Sequence, residues 1–212
     1  MTSPPSASPL VRRVALADPA SWRAAAVEAG AHLARGGVAL LPAEGLYGFH
    51  VRADLPAALD RLQVLKPREP GRGWIVLLAE PRVPAAWGPA LDGKAAALAR
   101  EHWPGALTLV VPAAPDAPPD VLAGDGTVAL RCPGSDFLRA VIAAAGGPLV
   151  TTSANRPGAP PPSDFESADR EGVSIAVDAG PLSGLASTVA QVDGSTVRVL
   201  RSGAVRIEGE GP

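Results

Sequence analysis

Short apolar runs alternate with segments of helical periodicity along most of the 212-residue chain. The runs Val38 to Leu41 and Leu149 to Thr152 are continuous, as in strands that are buried on both faces. Between such runs, apolar residues recur three or four positions apart, as in Leu55, Leu59 and Leu62. The alternation predicts an α/β fold: a single domain with a large, twisted, mixed parallel and antiparallel sheet flanked by helices.

Capping residues place several helix boundaries. Asp18 is expected to be an N-cap with Pro19 in the first turn, and Asp54 to cap the next helix. Ser163, with Glu166 three residues later, predicts a capping box and a short helix. Further helices are expected at 92–101 and 136–145, and further strands at 47–51, 74–78, 107–111, 128–131, 175–177, 188–192 and 197–200.

The length favours one domain, which we place at residues 12–206 between flexible tails at 1–11 and 207–212. The first ten residues lack the charged and apolar regions of a signal peptide. No apolar run approaches the roughly 20 residues of a membrane span. A single cysteine, Cys132, excludes an internal disulfide and favours a reducing compartment. We therefore expect a cytoplasmic protein that does not enter a membrane.

Composition and motifs also narrow the function. A formal net charge of −2 argues against tight nonspecific binding of nucleic acid, although it leaves room for a local basic patch. The three histidines, His32, His50 and His102, have no metal-ligand spacing, so no protein-bound metal is expected. Neither a Rossmann nor a P-loop glycine motif is present. Cys132 has the character of a small buried hydrophobe more than of a nucleophile.

Two segments carry chemistry that a plain scaffold does not need. Lys66-Pro67-Arg68 holds a compact cation and a bidentate cation together at a helix end, a suitable pair for phosphates. The alternative is that these cations only stabilise the helix C-terminus. Thr151 to Asn155 follows a buried strand, where ligands of open α/β sheets bind. The alternative there is ordinary turn chemistry by serine and asparagine.

Taken in order, these segments resemble the YrdC-like family. Its pattern has a proline-threonine turn before YGL, then KxR, WPGxLT, a strand ending in RxP, TSAN, STV and LRxG. The resemblance covers roughly residues 12 to 205. The matching segments here are Pro42 to Phe49, Lys66 to Arg68, Trp103 to Thr108, Val128 to Pro133, Thr152 to Asn155, Ser187 to Val189 and Leu200 to Gly203.

The resemblance implies an enzyme, a threonylcarbamoyl-AMP synthase. Family members condense L-threonine, bicarbonate and ATP into threonylcarbamoyl-AMP and pyrophosphate, which supports threonylcarbamoyl modification of tRNA. Magnesium normally accompanies the ATP, and tRNA or tRNA-modification proteins are possible partners. The reaction needs no protein nucleophile, only cations on phosphate, excluded water and aligned reactants.

The family's site residues transfer by position. Lys66 and Arg68 would be the catalytic cations. Ser163 has two expected roles, as N-cap and as nucleotide ligand, and both are compatible at a helix N-terminus. Trp103 and its WPG neighbours are expected to serve packing and turning. The ATP ligands would be Lys66, Arg68, Thr127, Asn155, Ser163 and Arg201, and the threonine or carbamate ligands would be Arg131, Ser153 and Ser187.

The chain departs from the family pattern mainly in the amino-acid half. Ala43 and Gly45 replace two threonines of the first motif, and Gly73 and Leu77 replace a proline and a histidine. The loss of these hydrogen-bond partners predicts weak threonine binding, which Gly45→Thr with Leu77→His is expected to restore. His50 lies near the altered turn and either compensates or is a surface histidine at a strand end.

Three functions therefore remain open. The first is a working threonylcarbamoyl-AMP synthase. The second is a YciO-type paralogue that binds ATP but uses another acyl or amino-acid partner. The third is a non-catalytic RNA-binding module that uses the same concave surface.

Overall fold

The computed structural model describes residues 9–69, 71–156 and 158–207. Ten strands and four α-helices make up this part of the chain. The helices are α1 (Pro19–Ala34), α2 (Pro56–Leu65), α3 (Gly93–His102) and α4 (Asp136–Ala145), with a 3-10 turn at Pro119–Val121. The strands are β1 (Leu10–Arg13), β2 (Ala39–Pro42), β3 (Tyr47–Arg52), β4 (Ile75–Leu77), β5 (Leu107–Pro112), β6 (Thr127–Arg131), β7 (Leu149–Ser153), β8 (Ile175–Asp178), β9 (Thr188–Asp193) and β10 (Thr196–Arg201).

The strands form one sheet in the order β1-β8-β2-β3-β7-β4-β6-β5-β9-β10. The pairs β1/β8, β2/β8, β4/β6 and β5/β9 are parallel, and the pairs β2/β3, β3/β7, β4/β7, β5/β6 and β9/β10 are antiparallel. The prediction of a single mixed sheet flanked by helices is confirmed. The central strand β7 lies between β3 and β4, so the segment after it meets residues from much earlier in the chain.

Each face of the sheet is covered by a separate layer. On one face α1 and α4 pack against each other and onto Leu41, Leu77 and Leu149. On the other face α2 and α3 cover the larger cluster, which includes Phe49 and Leu109. All five side chains are almost fully buried, and each contributes about 1.5–3 kcal/mol by leaving water.

Helix boundaries agree with the sequence at Asp18 and Lys66 and differ at Asp54. Asp18 caps α1 by accepting from the N–H of Ala20 at 3.0 Å, and α2 ends with Lys66 as its C-cap before Pro67. Asp54 is not the cap of α2, contrary to the prediction. The N-cap residue is Leu55, and the carboxylate of Asp54 instead pairs with Arg52 at 2.6 Å.

Two segment predictions near the ends of the chain are corrected. The expected N-terminal tail at 1–11 is too long, because Leu10–Arg13 is a strand that pairs with Ile175–Asp178. The expected C-terminal tail at 207–212 is too long by one residue, because Ile207 packs against the core. The remaining tail residues, 1–8 and 208–212, lie outside the described residues.

The capping box predicted at Ser163 does not form. Residues 161–170 make turns and no helix. The carboxylate of Asp164 accepts from the N–H of Ser167 at 2.8 Å, which closes a turn through a different acidic residue. Elsewhere in the described ranges no helix is long and apolar enough to cross a membrane. Cys132 is buried and unpaired, as expected for a packing residue.

Candidate functional site

A small cavity of about 140 Å³, lined by both polar and apolar residues, lies against the central strands β3, β4, β6 and β7. The register that builds it pairs Gly48 of β3 with Ser153 of β7 and Leu77 of β4 with Arg131 of β6. The loop around Leu185 closes its outer side. Its polar lining comes from six separate segments: Glu44, Arg68, Arg131, Thr151 to Ser153, Ser187 and Arg201.

Lys66, Ser153 and Asn155 form one hydrogen-bonded cluster beside this cavity. The Lys66 ammonium donates to the Asn155 backbone oxygen at 2.6 Å and to its side-chain Oδ1 at 2.9 Å. The Ser153 hydroxyl donates to the same Oδ1 at 2.6 Å. Partial burial and the nearby Arg68 lower the pKa of Lys66. The structure thus joins the two segments that the sequence singled out, although 89 residues separate them.

Arg68 reaches the cavity from the loop after α2. Its guanidinium donates to the Gly73 carbonyl at 2.5 Å and lies 4.2 Å from the centre of the Trp74 ring. The stacking fixes the plane of a group that can bind phosphate in a bidentate manner. Burial, then the charges of Arg72 and Arg201, lower its pKa to about 10. The group remains a cation at neutral pH, in surroundings that favour an anionic ligand.

Arg201 of β10 and Ser187 form a second cluster. The guanidinium donates to the Ser187 carbonyl at 2.9 Å and to its hydroxyl at 2.9 Å. The Ser187 hydroxyl also lies 3.0 Å from the hydroxyl of Thr108. These contacts hold Ser187 and Arg201 at the cavity wall, and their roles as ligands stay predictions.

Arg131, at the end of β6, forms an ion pair with Glu44 and donates to the Gly105 carbonyl at 3.0 Å. Glu44 in turn accepts from the N–H of Gly134. Burial, followed by the charge of Arg201, lowers the pKa of Arg131 to about 10. Glu44 belongs to the first motif, and the sequence pattern predicts no role for it. The usable signal was Arg131 itself, since a buried arginine needs a carboxylate partner.

Glu44 is the one acidic residue that lines the described cavity, where it faces three arginines. The ion pair with Arg131 neutralises the charge of Glu44. The cationic character of Arg68, Arg201 and the neighbouring Lys66 is therefore available to a ligand. Such a site can hold carboxylate, carbamate or phosphate oxygens through charge-assisted hydrogen bonds.

Thr127 and Ser163 do not line the cavity. Thr127 begins β6, four residues and about 13 Å before Arg131, and its hydroxyl donates to Asp125 at 2.7 Å. The Ser163 carbonyl accepts from the N–H of Leu182 at 2.7 Å, next to the loop that covers the cavity. Their contact with a nucleotide stays a prediction.

Gly45 and Leu77, where the chain departs from the family pattern for threonine binding, are both closely surrounded by other protein atoms. A Cβ atom at Gly45 would meet the Leu185 carbonyl and lie 2.8 Å from the Ser183 hydroxyl oxygen. Leu77 is 1% exposed and packs among the residues under α1 and α4. The expectation that Gly45→Thr with Leu77→His restores threonine binding therefore conflicts with the packing at Gly45, whereas Leu77 also lines the cavity.

His50 is fully buried in the sheet, so the alternative of a surface histidine is wrong. Its Nδ1 lies 2.9 Å from the Gly48 carbonyl oxygen and its Nε2 lies 3.1 Å from the Thr151 hydroxyl oxygen. Burial lowers its pKa to about 4. His50 does not reach the cavity, but Thr151 does.

Metal ligands and larger depressions do not compete with this site. The part of the chain that the structure describes has no group of three or more histidine, cysteine, aspartate or glutamate side chains able to hold a metal. A much larger depression, about 1270 Å³, lies between Pro81 and Pro115 and is lined mostly by alanine, proline and other apolar residues. The cluster of polar side chains, not the volume, therefore defines the candidate site.

The fold and cavity define an α/β domain with a cation-lined cavity against its central strands that can hold small anionic ligands. The family model Sua5_yciO_yrdC, described as telomere recombination, matches residues 31–203. The chain belongs to this Sua5/YciO/YrdC family.

Two proteins similar to this chain are named as threonylcarbamoyl-AMP synthases, one of them as putative. A threonylcarbamoyl-AMP synthase of Chromohalobacter salexigens is 38% identical over 180 residues, covering 83% of this chain and 92% of the relative. A putative threonylcarbamoyl-AMP synthase of Mycobacterium tuberculosis is 34% identical over 200 residues, covering 91% of this chain and 90% of the relative.

Solved structures show the same fold. P. abyssi Sua5 complexed with L-threonine superposes with a TM-score of 0.81 at 24% identity, over 92% of this chain. This chain spans 57% of that protein. E. coli YciO superposes with a TM-score of 0.80 at 20% identity, covering 92% of this chain and 96% of YciO.

Proposed function

We propose that this protein is a threonylcarbamoyl-AMP synthase, a nucleotidyltransferase that condenses L-threonine, bicarbonate and ATP to threonylcarbamoyl-AMP and pyrophosphate. The observation that carries the proposal is the cavity of about 140 Å³ bordered by Arg68, Arg131 and Arg201, with Lys66 beside it. Two supporting facts are the family membership and the activity named for relatives up to 38% identical.

The cavity size supports the proposal that the two substrates bind at different places. Pockets for drug-sized ligands occupy about 300–1,000 Å³, so a cavity of about 140 Å³ suits an amino acid and not a whole nucleotide. Threonine and its carbamate would lie inside, contacted by Arg131, Ser153 and Ser187. ATP would lie across the open side, with its phosphates at Lys66 and Arg68.

The remaining nucleotide contacts follow the same arrangement. Asn155 is fixed by Lys66 and Ser153 and would meet the nucleotide next to the phosphates. Arg201 lines the cavity and would reach the α-phosphate side. Thr127 and Ser163 would contact the more distant parts of ATP.

The chemistry requires two steps. The threonine amine attacks the carbon of bicarbonate-derived carbon dioxide, forming a C–N bond, giving up a proton and leaving a carbamate. A carbamate oxygen then attacks the α-phosphorus of ATP while the bond to the β-phosphate bridging oxygen breaks, and pyrophosphate leaves. Lys66 and Arg68 would stabilise the charge that develops on the phosphates, the main catalytic contribution here.

Mg²⁺ is proposed to arrive with the ATP phosphates. Magnesium sites built on nucleotides use one or two carboxylates together with phosphate and water. The described residues supply no cluster of three side chains for it, and the cavity carboxylate, Glu44, is engaged by Arg131. The protein's own part is therefore to bind and orient the reactants. We further propose a cytoplasmic role that serves tRNA modification.

A direct assay tests the proposal. Purified protein is incubated with ATP, Mg²⁺ and bicarbonate, and with each amino acid in turn, and acyl-adenylate and pyrophosphate are measured. We expect both products with threonine, and their loss in the Lys66→Ala, Arg68→Ala double variant. The proposal would be contradicted if the products formed without an amino acid, or if no amino acid supported their formation.

One observation favours a second candidate, a paralogue of YciO type with another acyl or amino-acid partner. The loop at Leu185 fills the space in front of Gly45, so the amino-acid half differs from the family pattern. Acyl-adenylate with another amino acid but none with threonine would select this candidate. An RNA-binding module has less support, because its cations surround a cavity too small for a nucleic-acid backbone.

A further inference from the structure

His50 and Thr151 form a hydrogen-bonded pair in the floor of the cavity. They are direct partners across the antiparallel strands β3 and β7. Thr151 lines the cavity, while His50 lies behind it with no exposed surface. None of the site roles assigned above uses either residue.

The partners of His50 determine which ring nitrogen carries the proton. A backbone carbonyl can only accept, so the contact of 2.9 Å between Nδ1 and the Gly48 oxygen requires an Nδ1–H. In the neutral ring Nε2 is then an acceptor. The hydroxyl of Thr151, 3.1 Å from Nε2, must therefore donate its proton to His50. Its oxygen is then left as an acceptor on a residue that lines the cavity.

Two further observations support this arrangement. Burial holds the pKa of His50 at about 4, so the ring is neutral at physiological pH. Gly48 also keeps the space beside the pair free. A Cβ atom there would lie 3.2 Å from the Thr151 hydroxyl oxygen and 3.3 Å from Cε1 of His50.

Ser153 lies two residues further along the same face of the strand, and its hydroxyl proton is likewise already used in a hydrogen bond within the protein. Its hydroxyl donates to Oδ1 of Asn155 at 2.6 Å. The orientation of that amide is fixed, because its nitrogen donates to the carbonyls of Arg156 and Ala159. The β7 wall thus presents two hydroxyl oxygens as acceptors, and the arginine wall presents donors.

We propose that His50 is a positioning residue that fixes the Thr151 hydroxyl as an acceptor, so that Thr151 and Ser153 recognise an N–H donor on the amino-acid substrate. This inference rests on the proposed function. The amino group, or the N–H of the carbamate, lies against β7, and the carboxylate lies toward Arg201, whose charge Glu44 does not neutralise. The two walls of opposite hydrogen-bonding character set the direction in which an amino acid enters.

The hydrogen-bond direction can be read from the free protein. Two-bond ¹H–¹⁵N spectra of protein labelled with ¹⁵N-histidine distinguish the two neutral tautomers. We expect one of the three histidines to be in the Nδ1–H form at pH 7, and its Nε2 resonance to move in Thr151→Val. An Nε2–H tautomer for His50 would overturn the inference, whatever the enzyme does.

The binding consequence is tested with a ligand pair. Threonine is compared with 3-hydroxybutanoate, which keeps the carboxylate and hydroxyl but lacks the amino group, by calorimetry in the presence of a non-hydrolysable ATP analogue. Thr151→Val should reduce the preference for threonine by about tenfold, the effect of one lost hydrogen bond. Thr151→Ser should keep the preference. Thr196→Val, at an exposed position at the start of β10, is the matched control.

The role of His50 is tested by replacing its acceptor. His50→Phe removes the acceptor, and the freed Thr151 hydroxyl can then donate into the cavity. His50→Gln places a carbonyl oxygen, which can also accept, near the position that Nε2 occupies in the wild type. The KM for threonine should rise in His50→Phe more than in His50→Gln, with the KM for ATP unchanged in both.

The outcomes separate the two proposals. Wild-type discrimination in Thr151→Val, or equal rises of both KM values in His50→Phe, overturns the inference and leaves the proposed function in place. A wild type that makes no acyl-adenylate with any amino acid overturns the proposed function. Melting temperatures of all variants confirm that they are folded.

Discussion

The Leu185 carbonyl lies directly against Gly45, at the place where the Cβ atom of any other residue would project. The contact is tightened by a hydrogen bond of 2.9 Å from the N–H of Gly184 to the Gly45 carbonyl. Gly45 is therefore a packing requirement in this chain, and the loop over the cavity depends on it. The space in front of Gly45 is occupied by the Leu185 carbonyl and the Ser183 hydroxyl.

Gly45→Ala is expected to destabilise the protein or displace the loop that contains Leu185. A new Cβ must push against backbone, which cannot rotate away as a side chain can, and overpacking costs about 1–3 kcal/mol. Urea denaturation would measure the loss. Gly124→Ala is the control, because its Cβ would lie at ordinary contact distance, 3.5 Å from the Gly71 Cα. Equal stability of the two variants would contradict the packing argument.

Lys66 and Arg68 are expected to carry ATP binding. ATP at 100 times its Kd should stabilise the wild type by about 2.7 kcal/mol, and the Lys66→Ala, Arg68→Ala variant should lose this stabilisation. Thermal melts with and without ATP provide the measurement. Lys94→Ala with Arg100→Ala removes the same charge from the exposed face of α3 and should leave the shift intact. A full ATP shift in the site variant would show that these cations bind no phosphate.

Substitution of Asn155 is expected to show that the positive charge of Lys66 contributes to ATP binding in addition to the hydrogen bonds of Asn155. Asn155→Asp keeps an oxygen for Lys66 and for Ser153, but its carboxylate neutralises the ammonium. We expect the affinity for ATP to fall by at least as much as in Asn155→Ala, where one neutral hydrogen bond of about 0.5–1.5 kcal/mol is lost. Calorimetric titration with ATP compares them. Unaltered ATP binding by Asn155→Asp would mean that the cluster only shapes the loop.

His50 should make stability depend on pH. The unfolded side chain takes up a proton near pH 6.5, whereas the buried ring resists until about pH 4. Between these values the unfolded state binds more protons, so stability rises with pH and is lost as pH falls through this window. The full effect is roughly 3 kcal/mol. Denaturation at pH 7.5 and pH 5 should show a smaller difference for His50→Gln, which cannot titrate; the same pH slope in both proteins would refute it.

The sequence predicted elements whose signals are local. The apolar run at 149–152 and the Asp18 cap need only their own neighbours, and both were found. Lys66-Pro67-Arg68 and Thr151 to Asn155 were recognised separately, yet nothing local placed them in contact. That contact depends on the length of α2 and on the position of β7 in the sheet.

The missed features all depend on residues far away in the chain. Leu10–Arg13 has an ordinary sequence and becomes a strand only because β8 offers an open edge. The capping box at Ser163 had a valid local signal, but the segment is held by tertiary bonds, including one from Tyr47 to the Pro162 carbonyl. The loop that fills the space at Gly45 lies 140 positions later in the chain, so no local sequence pattern predicts the contact.

The strand order has a consequence for synthesis of the protein. Arg201 and Ser187 come from the last part of the described chain, whereas Lys66 and Glu44 come from its first third. A nascent chain that has not yet released β10 from the ribosome contains Lys66 but lacks Arg201, which lies on the other side of the cavity. The candidate site is therefore complete only after the last described strand has joined the edge of the sheet.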